Sequence, residues 1–167
     1  MNNNYILGID PGCEYTAWVL ADADTLLPVK FEKEENNAVR EHLLDMFERG
    51  DYIETAIEMV ASYGMPVGRE VFETCVWIGR FTEILKCRCP ITYIYRKDEK
   101  LTICNSPRAN DATIKQALID RFAYGIPNHG KGTKKSPGWF YGFKQDVWAA
   151  YAVAVTYHDM YKGENDH

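Results

Sequence analysis

The order of the apolar segments constrains the fold of this chain more than any other feature of its sequence. Three strand-like segments at 5–10, 15–20 and 27–33 follow one another closely, which predicts an antiparallel meander. Strand-like and helical segments then alternate, which predicts parallel crossovers. The later strands are expected at 52–60 and 91–95, and the helices at 37–48, 70–86, 111–122 and 145–161. This order predicts an α/β fold, with a mixed five-stranded sheet and helices on both faces.

The chain length predicts one domain. Its 167 residues fit a single unit spanning 1–167, with no internal repeat. Between 125 and 142 the sequence is rich in Gly, Pro, Asn, Ser and Lys without periodicity, which predicts a flexible basic loop of functional type. No stretch approaches the roughly 20 apolar residues of a membrane span. The start, MNNNYILGID, lacks the pattern of a signal peptide, so we expect a cytoplasmic protein without a membrane partner.

The charge is distributed unevenly along the chain. The net charge is −5, but residues 86–144 hold twelve basic and four acidic side chains. Residues 1–85 hold six basic and sixteen acidic side chains. A basic segment joined to an acidic one predicts a positive face that binds a polyanion such as nucleic acid. The alternative, that the segment is only a solvated surface, stays open at this point.

Two predicted strands carry an acid near their carboxyl ends. ILGID finishes at Asp10, and TAIEMV carries Glu58. On neighbouring parallel strands, these carboxylates would lie roughly 5 Å apart, at the strand ends where ligands gather in α/β sheets. Two carboxylates this close repel each other. A divalent cation removes that repulsion, and Mg²⁺ prefers oxygen ligands of this kind.

A third acid, Asp146, begins the last predicted helix. That helix is apolar nearly all round and is therefore expected to be buried. The small residues Ala149, Ala150 and Val153 lie on the same side as Asp146 and would let the helix approach the sheet closely. Each acid also has a simpler explanation, a helix N-terminus for Asp146 and a turn before Pro-Gly for Asp10. The convergence of all three favours a metal site.

The same segments resemble the RuvC-like Holliday junction resolvases of the RNase H-like nuclease superfamily. GIDPGCEYTAW resembles their first strand: an apolar run, Asp-Pro-Gly, and a Thr a few residues later. The segments AIEMV, NDATIKQALIDRF and DVWAAYAVAVTYH resemble the second acidic strand and the last two helices, in the family order. The resemblance covers nearly the whole chain. It implies an RNase H-like fold, a homodimer, and cleavage of four-way or other branched DNA; the short chain suggests a phage-encoded version.

The resemblance also implies the chemistry. Water would hydrolyse a DNA phosphodiester with two Mg²⁺ ions about 4 Å apart, which Mn²⁺ can replace, and without a nucleotide cofactor. Asp10 would bridge the ions, while Glu58 and Asp146 would each hold one. The family usually has a second acid one turn into the last helix, where this chain has Ala149. Coordination of the second metal is therefore open, with Glu14 or the scissile phosphate as supplements.

The basic stretch supplies the residues assigned to DNA binding. Lysines in the loop NHGKGTKKSPGWFYGFK can neutralise phosphates. Trp139, Phe140 and Tyr141 beside them either stack on bases or anchor the loop to the core. A family lysine appears here as Asp111, so Lys115 or Arg108 takes over its charge. The full predicted set is Arg96, Lys97, Lys100, Arg108, Lys115, Lys131, Lys134, Lys135 and Lys144.

Apolar residues suggest two further contacts. The family has an aromatic wedge after its second acidic strand, where this chain has Ala61, so Tyr63 or Met65 is expected to enter the junction. The helix 70–86 carries more apolar side chains than one sheet face requires. It is therefore the expected dimer interface, with Trp77 and Phe81 as its anchors.

Other functions remain open on the sequence alone. An actin-like kinase also begins with an apolar strand, Asp and Gly, but it needs two such domains, so this chain could only be a fragment of one. A non-catalytic junction-binding protein could keep the fold without the chemistry. A nuclease of the same fold could also act on another branched DNA or on RNA.

Overall fold

The computed structural model describes residues 3–163 and contains, within them, five strands and five helices. The strands are β1 (Asn4–Asp10), β2 (Tyr15–Asp22), β3 (Pro28–Glu35), β4 (Tyr52–Met59) and β5 (Ile91–Tyr95). The helices are α1 (Asn36–Phe47), α2 (Arg69–Leu85), α3 (Arg96–Cys104), α4 (Asp111–Phe122) and α5 (Gln145–Tyr161). Nine of these ten elements follow the predicted order; α3 was not predicted.

The sheet is mixed, as the sequence predicts. Its strand order is β3-β2-β1-β4-β5. The meander β1-β2-β3 is antiparallel, whereas β4 and β5 are added parallel to β1. Helices cover both faces, because parallel strands need crossover connections.

Each face of the sheet has its own core. On β1, Leu7 and Ile9 point towards α1 and α2, where they join Val39, Ile78 and other apolar side chains. Ile6 points to the opposite side, where the core is built with α4 and α5. We call these two sides the α1–α2 face and the α5 face. Since side chains alternate along a strand, residues 6, 8 and 10 belong to the α5 face.

Helix α5 lies directly on β1 because Gly8 has no side chain. A Cβ at Gly8 would stand 2.2 Å from the Ala150 carbonyl oxygen and 2.9 Å from the Ala154 Cβ, closer than real atoms approach. The small residues of the helix therefore have the role that the sequence predicts. Most of α5 is buried, from Val147 to Tyr157 with the exception of Ala149. Despite this apolar character, no helix within residues 3–163 is long and apolar enough to span a membrane.

The segment 125–142 folds back on itself. The N–H of Gly138 donates to the Lys131 carbonyl at 2.9 Å, and that of Phe140 donates to the Gly130 carbonyl at 3.0 Å. Phe140 is fully buried, and its ring lies 4.5 Å from that of Trp148. Of the two roles foreseen for the aromatic residues, Phe140 therefore has the anchoring one.

Candidate active site

Asp10 and Glu58 meet at one edge of the sheet. β1 and β4 are parallel neighbours, and their pairing runs to Ile9 opposite Ile57, the residues immediately before the two acids. Ala56 belongs to the core of the α5 face, so Glu58, two residues later, points to that face as Asp10 does. The predicted juxtaposition of the two carboxylates at the carboxyl ends of parallel strands is present.

The two carboxylates perturb each other. Burial, followed by the charge of Glu58, raises the pKa of Asp10 well above its ordinary value. Burial also raises the pKa of Glu58, while the hydrogen bond with Asp10 and the positive charge of Arg96 oppose that rise. Without a cation the doubly charged form of this pair is therefore unfavourable, as it is for carboxylates forced together.

A buried hydrogen-bond network fixes the turn that follows Asp10. The N–H of Gly12 donates to Thr16 Oγ1 at 3.3 Å, and that hydroxyl donates to Asn36 Oδ1 at 2.6 Å. Asn36 Nδ2 donates back to the Gly12 carbonyl at 3.0 Å. Both side chains are almost fully buried. The Thr was part of the predicted motif, but the role of Asn36 was not foreseen.

One cleft contains all three predicted acids. Its volume is about 620 Å³. Asp10 and Glu58 line it from the strand ends, and Asp146 lines it from the first turn of α5. Ala149 lines it as well, at the position where the resemblance leads one to expect an acid. The basic side chains in the lining are Arg96, Lys115, Lys131 and Lys144.

Asp146 is engaged by a lysine that the sequence did not single out. Lys33, on β3, forms an ion pair with the Asp146 carboxylate, and both side chains are part exposed. Within residues 3–163, no three His, Cys, Asp or Glu side chains stand close enough together to enclose a metal ion. The acids therefore share a cleft, but Asp146 has a lysine as its present partner.

Glu99 is a fourth acid whose charge acts on Asp10; it does not line the cleft, and sequence reasoning missed it. It lies on α3, is fully buried, and accepts a hydrogen bond from Arg96 at 2.9 Å. Burial, followed by the charge of Glu58, raises its pKa to about 8. Its neighbours Arg96, Lys97 and Lys100 made this segment look like a basic surface. The spacing of three positions between Arg96 and Glu99, which form an ion pair on this helix, was the available signal.

The residues predicted to bind DNA fall into two groups. Lys115, Lys131 and Lys144 line the cleft, as does Arg96, which also pairs with Glu99 and Asp111. The others lie outside the cleft lining: Lys97, Arg108, Lys134 and Lys135 are exposed, and Lys100 is half-buried. Glu14, the suggested supplementary ligand, is exposed and is also absent from the lining.

The predicted wedge residues are exposed, whereas one predicted dimer anchor is not. Tyr63 and Met65, between β4 and α2, are 61% and 70% exposed. Trp77 is half-buried, and the Arg80 guanidinium lies 4.5 Å from its ring centre. Phe81 is fully buried in the core of the α1–α2 face, so its side chain is not available to a second copy. The exposed apolar side chains of α2 are Phe72 and Val76.

Solved structures with this fold include two of RuvC. RuvC from T. thermophilus in complex with a Holliday junction substrate matches with a TM-score of 0.69 at 13% identity, over 96% of each chain. A Thermus thermophilus RuvC structure matches with a TM-score of 0.64 at 12% identity, also over 96% of each chain. No protein-family model and no curated protein sequence matches the chain. At these identities the likeness establishes the fold, which is RNase H-like.

Proposed function

We propose that this chain is a metal-dependent endonuclease that hydrolyses DNA phosphodiesters in branched DNA. The observation that carries the proposal is the composition of one cleft. Carboxylates of Asp10, Glu58 and Asp146 line it together with four basic side chains. Carboxylates suit a hard cation, and the basic groups suit the phosphates of a nucleic acid.

The donor set fits Mg²⁺, with Mn²⁺ as a substitute. All the candidate ligands are carboxylate oxygens, the type that Mg²⁺ prefers. Burial raises the pKa of both Asp10 and Glu58, and a bound cation would offset that unfavourable charge. Asp10, Glu58 and Asp146 would hold the metal, in our proposal as a pair of ions. Bound there, Mg²⁺ would activate water and stabilise the leaving oxygen of the phosphodiester.

The chain's own residues have three tasks in this proposal. Asp10 and Glu58 would provide charged carboxylates to the cation, which offsets the cost of their burial. Lys33 releases Asp146, and its exposed side chain is free to turn towards solvent or a phosphate. The basic residues of the lining hold the substrate backbone over the acids, where positioning removes much of the barrier.

Branched DNA is the proposed substrate and a homodimer the proposed assembly. The support for the substrate is the fold shared with RuvC, which has been seen with a Holliday junction. The exposed Tyr63 and Met65 are suited to insertion at a junction, where bases are unstacked. Phe72, Val76 and Trp77 on α2 form the proposed contact between two copies, because exposed apolar groups of this kind mark interfaces.

A substrate panel tests the proposal. The full chain is incubated with a four-way junction, a fork, a flap, linear duplex and an RNA–DNA hybrid, each in Mg²⁺ and in Mn²⁺. We expect cleavage of the branched DNAs, strongest for the four-way junction, and none by Asp10→Asn. If the wild-type chain leaves every substrate intact with both metals, the proposed activity is wrong.

A non-catalytic junction-binding protein is the second candidate. Ala149 in the cleft and the Lys33–Asp146 ion pair favour it, because both leave fewer acids available to a metal. This alternative predicts tight binding of the four-way junction without cleavage, and equal binding by Asp10→Asn. A mobility-shift titration beside the cleavage assay separates the two functions.

A further inference from the structure

Glu99 has an unsatisfied oxygen in a buried position. Its Oε2 accepts from Arg96, but its Oε1 has no hydrogen-bond partner and is shielded from solvent. Buried polar atoms in folded proteins are nearly always paired, so an unpaired carboxylate oxygen requires an explanation. A missing ligand is one such explanation.

The position of α3 brings Glu99 to the acids of the cleft. β5 pairs with β4 so that Ile94 lies opposite Glu58, and α3 begins immediately after β5, at Arg96. Glu99 is therefore in the first turns of a helix that starts at the same sheet edge. Its charge acts on both Asp10 and Glu58. Asp146, by contrast, approaches from α5 and is paired with Lys33.

Helix α5 contributes one carboxylate to the cleft lining, that of Asp146. Ala149 occupies the lining one turn after Asp146 and has no oxygen in its side chain. A buried acid on a different element, with one oxygen unpaired, supplies the missing donor without an acid on α5.

We propose that Glu99 is the fourth carboxylate of the metal centre and replaces, from α3, the acid absent at Ala149. This inference depends on the metal site of the proposed function. Arg96 holds Glu99 in the metal-free chain and remains paired with Asp111 when Glu99 turns to the metal. Arg96 is thus a positioning residue for Glu99 and, in the cleft lining, a contact for the substrate phosphate.

A purely structural role for Glu99 makes a different prediction. If Glu99 only anchors Arg96, metal affinity does not depend on it. Asp98 provides a matched control, because it is the neighbouring acid on the same helix, is half-buried, and is not among the charges that shift the pKa of Asp10 or Glu58. Removing the charge of Asp98 therefore reports the general electrostatic effect of losing one acid from α3.

The test is Mn²⁺ binding to the full chain without DNA, measured by the loss of the free-ion signal in electron paramagnetic resonance. Glu99→Gln keeps the size of the side chain and is expected to lower Mn²⁺ affinity by about tenfold or more, the range found when supporting groups of metal sites are removed. Asp98→Asn should stay within about twofold of wild type.

The outcomes separate this inference from the function on which it depends. If wild type binds Mn²⁺ and Glu99→Gln binds equally well, the role of Glu99 is wrong while the nuclease proposal stands. A loss in Asp98→Asn as large as that in Glu99→Gln also overturns the inference. If wild type binds no Mn²⁺, the metal-dependent function fails first, and the inference with it. Thermal unfolding in the absence of metal establishes that each variant is folded before it is compared.

Discussion

The α5 face and the α1–α2 face are built on the same five strands, yet they differ in how completely their polar groups are satisfied. Three buried side-chain polar atoms in residues 3–163 have no partner: Glu99 Oε1, Trp148 Nε1 and Thr156 Oγ1. All three lie on α3 or α5. The core of the α1–α2 face consists of apolar side chains such as Leu7, Ile9 and Phe81. Both faces have an apolar core, but within residues 3–163 the unsatisfied side-chain groups lie on the two helices α3 and α5.

The difference shows why the two acids can lie so close together. Burial makes the charged forms of Asp10 and Glu58 unfavourable, the charge of Glu58 adds to this at Asp10, and the apolar cores on both faces compensate. Neighbouring residues on β1 therefore serve different purposes: one supports the proposed activity and the next supports stability. Substitutions at adjacent positions should accordingly affect activity in one case and stability in the other.

Asp10 and Ile9 give the largest contrast. Asp10→Asn should lower junction cleavage by about 10³-fold, since metal assistance contributes several kcal/mol. It should leave the chain at least as stable as wild type, because a repelled buried charge is removed. Ile9→Ala should lower the free energy of unfolding by about 2–5 kcal/mol and keep its activity per folded molecule. Urea unfolding measures the free energy of unfolding, and single-turnover cleavage measures the activity. Equal activity losses in both variants would contradict the division between the faces.

Two glycines give the next contrast. Gly8→Ala places a methyl group against the Ala150 backbone and should destabilise the chain by about 1–3 kcal/mol. Gly79→Ala is the matched substitution on α2, where a Cβ meets nothing within 4 Å. It should stabilise the helix by about 1 kcal/mol. Thermal unfolding of both variants measures whether the two changes in stability have opposite signs. Destabilisation by Gly79→Ala would contradict the expectation that this surface of α2 is unpacked.

A smaller effect is expected in the pH dependence of stability. The raised pKa values of Asp10 and Glu99 mean that their neutral forms favour the folded state at low pH. That stabilisation is lost as the pH rises above the ordinary carboxyl pKa, and for Glu99 the loss extends to about pH 8. Without metal, Asp10→Asn should therefore gain in melting temperature relative to wild type as the pH rises above 3.8, the ordinary pKa value for Asp10. Saturating Mg²⁺ should reduce the gain, because the wild-type carboxylates are then compensated.

An acid with the opposite shift serves as the control for that series. In the turn after β2, hydrogen bonds from Thr25 lower the pKa of Asp22. Its stabilisation is present at neutral pH and is lost as the pH falls through the lowered value. Asp22→Asn should thus be less stable than wild type at pH 7, with the difference disappearing in acid. If Asp10→Asn and Asp22→Asn showed the same change in stability with pH, repulsion in the cleft could not be the cause of the effect at Asp10.

The smallest expected effect concerns the exposed lysines. Substituting Lys134 and Lys135 with Ala should reduce the slope of log affinity against log salt by about 1 for each phosphate that is no longer neutralised. Lys86→Ala is the control, because Lys86 follows α2 and pairs with Glu83. It should leave the slope unchanged. Fluorescence anisotropy of a labelled four-way junction between low and moderate salt gives both slopes.

Much of this arrangement was predictable from local patterns. The apolar runs and their turns predicted the five strands, and the acids at the ends of β1 and β4 predicted the pair Asp10 and Glu58. These predictions succeeded because the period of a strand fixes which side chains share a face. The position of α5 followed from its small residues in the same way.

The elements that were missed depend on tertiary contacts. Helix α3 has nine residues, no side-chain N-cap and mainly polar side chains, so RKDEKLTIC carries no clear apolar stripe. Glu99 was hidden in that segment because its burial comes from packing against other elements, not from its sequence neighbours. Asn36 and Lys33 act across the sheet on groups 24 and 113 positions away, and no local pattern indicates such partners.

The contact at Gly8 also determines geometry. Gly8 precedes Asp10 by two residues on the same face, and Ala150 follows Asp146 by about one helical turn. Strand and helix touch there through main-chain atoms, so no flexible group lies between them to absorb a change. The distance between Asp10 and Asp146 is thus set by the main chain. A single methyl group at Gly8 would therefore change the distance between Asp10 and Asp146 without altering either carboxylate.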